Sequence, residues 1–363
     1  MREDAPAVVE SPVPSPRHAF QRKSRTSTMQ MDPLSRRAML RYTGLLLGAA
    51  GALAGFPSVS RVAAAATPPS ESKTPPLSKE AMAALDAALG GKKGSYIENE
   101  GVYTTPLPRN DLHVTIKNEP VPIGFGFGGW VSLKRTLDGR GAMLMSDTVL
   151  LEEEVNPLIS AAQNRDLQVT AIHNHFFYES PPIFYMHLHG MGDPVELADK
   201  YGSAIQATKL HPSNQPSSTA SSDSRTAKEM FDLPALDKTV GLAGKVNGPI
   251  YKYVVGRDDL RVIAMGAEIT TAIGLNTWAA FAGQSEAAHI AGDVAMLENE
   301  VNPVIRALRK HNLEVVAVHQ HMLEEQPRII FLHYYGRGPV STLAEGFRAA
   351  LDQLGGKGKQ AGS

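Results

Sequence analysis

Val155, Leu158, Ile159 and Ala162 recur at i, i+3, i+4 and i+7, and Val301, Val304, Ile305 and Leu308 repeat the series, so each set predicts an amphipathic helix. Pro157 and Pro303 stand in the first turn, where a missing N–H costs nothing, and Asn156 or Asn302 just ahead could cap. A period of two follows in Leu167-Gln168-Val169-Thr170-Ala171-Ile172-His173-Asn174-His175, which predicts a strand. A Pro-containing turn leads to a second alternating run at 183–189, and the same order returns at 329–335.

The two patterns are copies of one another. Residues 147–192 align with 293–338 without a gap, and 20 of those 46 positions are identical. Upstream, Arg109-Asn110-Asp111-Leu112 matches Arg257-Asp258-Asp259-Leu260, and Trp130 matches Trp278. A repeat this long is a duplicated domain and not a solenoid unit. We divide the chain into a leader region at 1–66, a linker at 67–80, repeat 1 at 81–208, a Ser/Pro-rich linker at 209–226, repeat 2 at 227–355 and a tail at 356–363. The expected fold is α+β: two homologous repeats, each a twisted antiparallel sheet with helices on one face. The alternative is a double cupin β-barrel.

Comparing the repeats isolates the candidate chemistry. Leu167, Val169, Ala171, His173 and His175 are identical to Leu313, Val315, Ala317, His319 and His321, whereas the intervening residues differ. One face of the strand is held and the other has drifted. If the turns centre on Pro181 and Pro327, antiparallel pairing sets His175 beside His187 and His321 beside His333, with His173 facing His189 and His319 facing Tyr335. Three imidazoles on one hairpin face can converge on a metal ion and leave a coordination position open. A lone histidine on an apolar face is ordinarily a hydrogen-bonded core residue. Here a His-x-His with a third histidine twelve positions on occurs twice, which packing explains poorly.

Glu179 and Glu325 stand four residues after the second histidine and are the candidate fourth ligands, in a His-x-His-x-x-x-Glu spacing that resembles the first metal motif of cupins. Cupins have a glycine six residues ahead of the first histidine, where this chain has Leu167 and Leu313, and no strong helix just before the strand. Glu154, Glu300, Glu152 and Glu298 are rival carboxylates, read here as favourable charge at a helix N-terminus. The ions that suit such a site are zinc, copper or manganese. His113, His211, His289 and His311 have no counterpart in the other repeat and read as solvated.

Composition narrows the classes. At 42% apolar and 20% charged, the 363 residues can bury a sizeable core. The near-neutral charge of -1 offers no basic stripe for nucleic acid. The absence of cysteine removes disulfides, thiolate metal sites and cysteine nucleophiles, leaving His, carboxylates, hydroxyls and backbone. Gly124-Phe125-Gly126-Phe127-Gly128-Gly129 lacks the lysine of a phosphate loop and reads as a bend before Trp130, and no Gly-x-Ser-x-Gly elbow occurs.

The N-terminal region reads as an address. Ser35-Arg36-Arg37 precedes an apolar run at 45–56, too short to span a bilayer, and Ala63 to Ala66 supply a cleavage site, so the segment resembles a twin-arginine export signal. Met29 or Met31 is a candidate start. Without residues 1–66 the chain keeps 27 basic and 33 acidic residues, a charge of about -6 with no electrostatic reason to bind an anionic membrane. The expected location is periplasmic or secreted, with the twin-arginine machinery as partner, no stable membrane anchor and no nucleic acid.

The segments "VTAIHNHFFYESPPIFYMHLHGMG" and "VVAVHQHMLEEQPRIIFLHYYGRG", with the paired Asn-Pro helices, resemble the LppY/LpqO family of bacterial exported proteins across about 85 to 353. The resemblance implies an exported protein of tandem α+β repeats and supplies no reaction. The name-giving members are lipoproteins, whereas this chain has no cysteine to lipidate. Three functional classes remain open. One is an enzyme in which a three-histidine metal activates water or oxygen, with Glu179 or Glu325 as ligand or general base. Another is a metal-binding module that buffers or senses zinc or copper. The last is a structural duplicated domain without metal.

Overall fold

The computed structural model describes residues 74–215 and 225–355. The leader region, residues 216–224 and the 356–363 tail lie outside the described residues, and the twin-arginine reading with them.

Repeat 1 begins with α1 (Lys79–Ala88), β1 (Ser95–Ile97), β2 (Val102–Pro108), β3 (Val114–Ile116), β4 (Glu119–Val121), β5 (Gly128–Arg135) and β6 (Ala142–Leu151). It continues with α2 (Glu152–Gln163), β7 (Gln168–His173), β8 (Glu179–Ser180), β9 (Ile183–Gly192) and α3 (Pro194–Ile205). Repeat 2 runs through α4 (Ala227–Met230), α5 (Leu233–Val240), β10 (Lys245–Asn247), β11 (Ile250–Gly256), β12 (Val262–Ala264), β13 (Ala267–Ile269), β14 (Asn276–Gln284) and β15 (Ala287–Met296). It closes with α6 (Val301–Lys310), β16 (Glu314–His319), β17 (Ile330–Gly338) and α7 (Val340–Leu351).

Each repeat builds a six-stranded antiparallel sheet, in the orders β1-β2-β5-β6-β9-β7 and β10-β11-β14-β15-β17-β16. Both sheets are open at their ends, so the fold is the expected α+β arrangement and the double cupin barrel is set aside. Alternation along the strands explains the layering. On β6, Ala142, Leu144 and Leu150 pack with the helices of repeat 1. Met143 and Met145, facing the other way, pack with Val262, Ile269 and Phe331 of repeat 2. Phe125, Phe127 and Tyr185 likewise pack with Ala280, Ala291 and Tyr335. Helices therefore cover one face of each sheet, and the other faces meet between the repeats.

Three local expectations need correction. The Asn-Pro helices are not capped by asparagine: α2 starts at Glu152, and Glu154 at its third position accepts the Leu151 N–H at 2.8 Å. Glu300 does the same for Leu297 at 2.7 Å. Residues 209–215, expected as part of the linker, are packed: Leu210 and His211 are buried and Gln215 bonds to Pro108 O. His289 is buried too, bonded to the Tyr335 hydroxyl at 2.8 Å, so it and His211 are not the solvated residues expected. His113 is exposed and His311 half-buried.

The hairpin register also differs. Pairing sets His173 opposite Tyr185 and Ala171 opposite His187, not His175 opposite His187. The reversal is a loop that carries β8 out to pair with β3, where a Pro-containing turn centred on Pro181 was expected. A bulge between Val169 and Ala171, repeated between Val315 and Ala317, inserts one residue and reverses the facing of everything beyond it. Leu167 and Val169 thus join the helix-side core, while Ala171 and His173 turn toward the other repeat. The held face is two half-faces, one for each layer.

Candidate metal centre

Because the bulges turn both His-x-His strands inward, the two triads occupy one space. The three closest histidine pairs all join one repeat to the other. Ring centroids are 3.6 Å apart for His173 and His319, 3.7 Å for His175 and His333, and 4.0 Å for His187 and His321. Within a repeat the rings are farther apart, 5.1 Å for His173 and His187 and 4.9 Å for His319 and His333. His175 also stacks on Tyr185 at 3.3 Å, and its counterpart His321 on Phe331 at 3.4 Å.

Among the described residues, three sets of side chains bring ligand atoms within 4.8 Å of one another: His173, His319 and His333; His187, His319 and His321; and Asp293, His321 and His333. The first two mix the repeats, so the expected division into one site per repeat gives way to a shared cluster. The sets leave out Glu179 and Glu325. Glu325 is buried and accepts the Ile329 N–H at 3.1 Å, and Glu179 accepts that of Ile183 at 3.4 Å, so both brace the loop that follows them.

Backbone carbonyls orient three of the rings. His187 Nδ1 lies 3.2 Å from Ser146 O, His333 Nδ1 3.2 Å from Gly292 O, and His319 Nδ1 3.2 Å from Gln320 O. A carbonyl only accepts, so each Nδ1 carries the proton and each Nε2 presents a lone pair to the cluster. His187 Nε2 meets His173 Nε2 at 3.0 Å. His173 Nδ1, both nitrogens of His175, His319 Nε2, His321 Nδ1 and His333 Nε2 are buried with no hydrogen-bond partner. Asp147 Oδ1 and Asp293 Oδ1 share that condition.

Electrostatics keep the rings neutral. Burial, and then repulsion from His319, lowers the His173 pKa to about 2. Burial alone accounts for most of the fall of His319 to about 4. His175, His187, His321 and His333 are held well below the ordinary value by burial and then by repulsion from neighbouring histidines, with His173 and His319 acting on all four. The carboxyls shift the other way: burial pushes Asp147 up to about 8, and burial with Asp147 nearby pushes Asp293 well up. Lys252, depressed by burial, lies 4.4 Å over the Trp278 ring and feels both carboxyls.

Sequence reasoning missed the aspartates. Asp147 and Asp293 are identical between the repeats, and strand register places Asp147 opposite His187 and Asp293 opposite His333. His321 Nε2 lies 3.7 Å from Asp293 Oδ2. Their identity was a signal; their proximity to histidines 40 positions away in sequence was not. The rival Glu154 and Glu300 are structural: each pairs with a buried arginine, Arg109 at 2.7 Å and Arg257 at 2.8 Å.

A pH dependence follows. In the unfolded chain the six imidazoles titrate near 6.5, whereas the metal-free fold keeps them neutral, so below that pH the unfolded state binds more protons and stability falls. Asp147 and Asp293 oppose this, since the fold holds their protons far above the unfolded value near 3.9. Six groups outweigh two, and at about 1.4 kcal/mol per group per pH unit the net loss approaches roughly 5 kcal/mol per unit below pH 6. Urea midpoints of the metal-free protein between pH 7.5 and 5 should fall steeply; a flat profile would mean the rings are charged when folded.

The fold and site define a tandem-duplicated α+β protein whose repeats share a buried His/Asp cluster with the donors to hold a metal ion. The chain belongs to the family described as Domain of Unknown Function (DUF1259), which matches residues 83–207 and again 234–353. No curated protein matches. Among solved structures, the chain is 12% identical to the trimeric bacterial microcompartment shell protein PduB, with a TM-score of 0.19, covering 74% of this chain and 93% of that one. It is 10% identical to EtuB from Clostridium kluyveri, with a TM-score of 0.17 and coverage of 72% and 89%. Likeness at that level carries no inference.

Proposed function

We propose that the protein is a metal-binding protein in which His173, His187, His319, His321, His333 and Asp293 form one centre shared by both repeats. The observation that carries this reading is the set of buried, neutral imidazole nitrogens left without hydrogen-bond partners in one cluster. Leaving a buried polar group unpaired costs about 1 to 3 kcal/mol. A divalent cation satisfies several at once, because it accepts the lone pairs that the rings point at one another. Imidazole with carboxylate suits zinc or copper, and manganese when carboxylate dominates. Bound there, the ion would supply Lewis acidity, and it would displace protons from Asp147 and Asp293. The chain's own groups orient the rings through the Ser146, Gly292 and Gln320 carbonyls and exclude water by burial.

Elemental analysis of the full chain, with melting before and after a chelator, tests this. The expected result is bound metal and a lower melting temperature on chelation, since a ligand that binds only the folded state stabilises it. No metal in the purified protein, with no thermal shift on adding zinc, copper or manganese, would end the metalloprotein reading.

The proposal includes export by the twin-arginine route, supported by Arg36 and Arg37 ahead of the apolar run, and kinship with the LppY/LpqO proteins, supported by the paired Asn-Pro and His-x-His segments. Changing both arginines to lysine should leave precursor inside the cell. Unchanged export of that variant would make the pair incidental.

A further inference from the structure

The repeats finish differently, and the difference opens a cavity. After α3 the chain sets the Lys209 N–H on Glu154 Oε1 at 2.7 Å and runs back over the ends of β2 and β5. Leu210 is fully buried there, with its Cδ1 3.3 Å from where a Cβ on Gly129 would stand. Gln215 Nε2 donates to Pro108 O at 3.0 Å, and His211 Nε2 to Ala88 O at 2.9 Å. Repeat 2 has the same anchor, the Gly355 N–H on Glu300 Oε1 at 2.6 Å. In the sequence alignment of the repeats, the residue matched to Leu210 is Gly356.

Over the equivalent strand ends lies a cavity of about 470 Å³, lined by Leu242, Val255, Thr277, Leu351 and Leu354 among others. Thr277 occupies the position of Gly129 and Val255 that of Leu107, so this is the volume that the 209–215 segment fills in repeat 1. Its rim carries two of the few large apolar side chains left in water, Leu242 at 39% and Val254 at 54% exposure. Arg348 also borders it, with a buried Nε that has no partner.

We propose that this cavity is a peptide-binding site that takes a short turn-forming segment of another protein, like the 209–215 segment, whose Pro212–Asn214 form a 3-10 turn. Such a segment places a leucine-sized side chain against Val255 and Thr277 and a carboxamide near the Gly256 carbonyl, the counterpart of Pro108. The occupant is argued from the protein's own first repeat, where a segment of that chemistry is seated. The chain's continuation, Gly356-Lys357-Gly358-Lys359, offers no apolar side chain, and the 209–215 segment of a second copy is already seated in its own repeat. The proposal does not depend on the metal centre.

The probe is a labelled heptapeptide with the sequence of residues 209–215, titrated into the full chain and followed by fluorescence polarisation. We expect saturable one-to-one binding, weakened at least about tenfold when the peptide leucine is replaced by alanine, because burying that side chain is the main apolar gain. Thr277→Leu, which fills the cavity, and Leu242→Trp, which crowds its exposed rim, should weaken binding by a similar factor. Two variants are used because Thr277 Oγ1 accepts the Ala295 N–H and its replacement could disturb the sheet. No saturable binding, or binding that both folded variants leave unchanged, overturns the proposal. Binding that appears only after truncation beyond Gly355 also overturns it and makes the chain's own tail the occupant.

Discussion

At the proposed centre, His319→Ala should weaken metal binding strongly, by breaking the two ligand sets that span the repeats, whereas His175→Ala should leave binding intact. His319 belongs to two of the three ligand sets and stacks on His173 across the repeat boundary, while His175 belongs to none. Loss of an outer-shell partner alone typically costs 10- to 100-fold in affinity. Removing an imidazole common to two sets should cost about 100-fold or more. Equilibrium dialysis with zinc or copper measures this directly. In melting experiments a chelator should lower the wild-type transition and hardly move that of His319→Ala. The opposite pattern, in which His175→Ala loses one ion and the second repeat keeps another, would restore two independent sites.

Arg109→Ala should be the most destabilising single change remote from the cluster. The guanidinium is fully buried and bonds Asp111 through two nitrogens at 2.8 and 2.9 Å, Glu154 at 2.7 Å and the Val149 carbonyl at 2.7 Å. Glu154 in turn holds the Leu151 and Lys209 amides. Deleting the arginine leaves buried carboxylates uncompensated, a loss of about 3 to 5 kcal/mol. In a protein of this size that is roughly 10 °C in melting temperature by calorimetry. Arg140→Ala, which removes an exposed partner of Asp138, should leave the transition where it is. Equal effects of the two changes would refute a structural role for the buried network.

The Arg109 and Arg257 clusters also show how far the sequence could be read. The match of 109–112 to 257–260 and the identity of Glu154 with Glu300 were visible without coordinates, but nothing linked the two motifs, because about 45 residues separate each arginine from its glutamate. Pairing β2 with β5 and β5 with β6 brings Arg109 to Glu154. The cap assignment failed for a related reason. Asn156 and Asn302 carry the right chemistry beside a proline, yet glutamates two residues upstream cap first, since their longer side chains reach back to the Leu151 and Leu297 amides.

By itself the sequence determined the duplication, the alternation of helix and strand within each repeat, the α+β class and the spacing of the histidines. All of these are local, written as periods of 3.6 and 2 or as identities at a fixed offset. Only the tertiary structure decided which way the histidines face and what they meet. One extra residue in each of β7 and β16 reverses side-chain direction beyond it, and a bulge has no signature in an alternating pattern. Packing the two inner sheet faces against each other then interleaves triads 146 positions apart, while strand pairing within the second sheet brings Asp293 to His321. It also gives the first repeat a seated Leu210 and leaves the second an open cavity. Contacts between distant segments depend on how the sheets stack, and no short window of sequence contains that information.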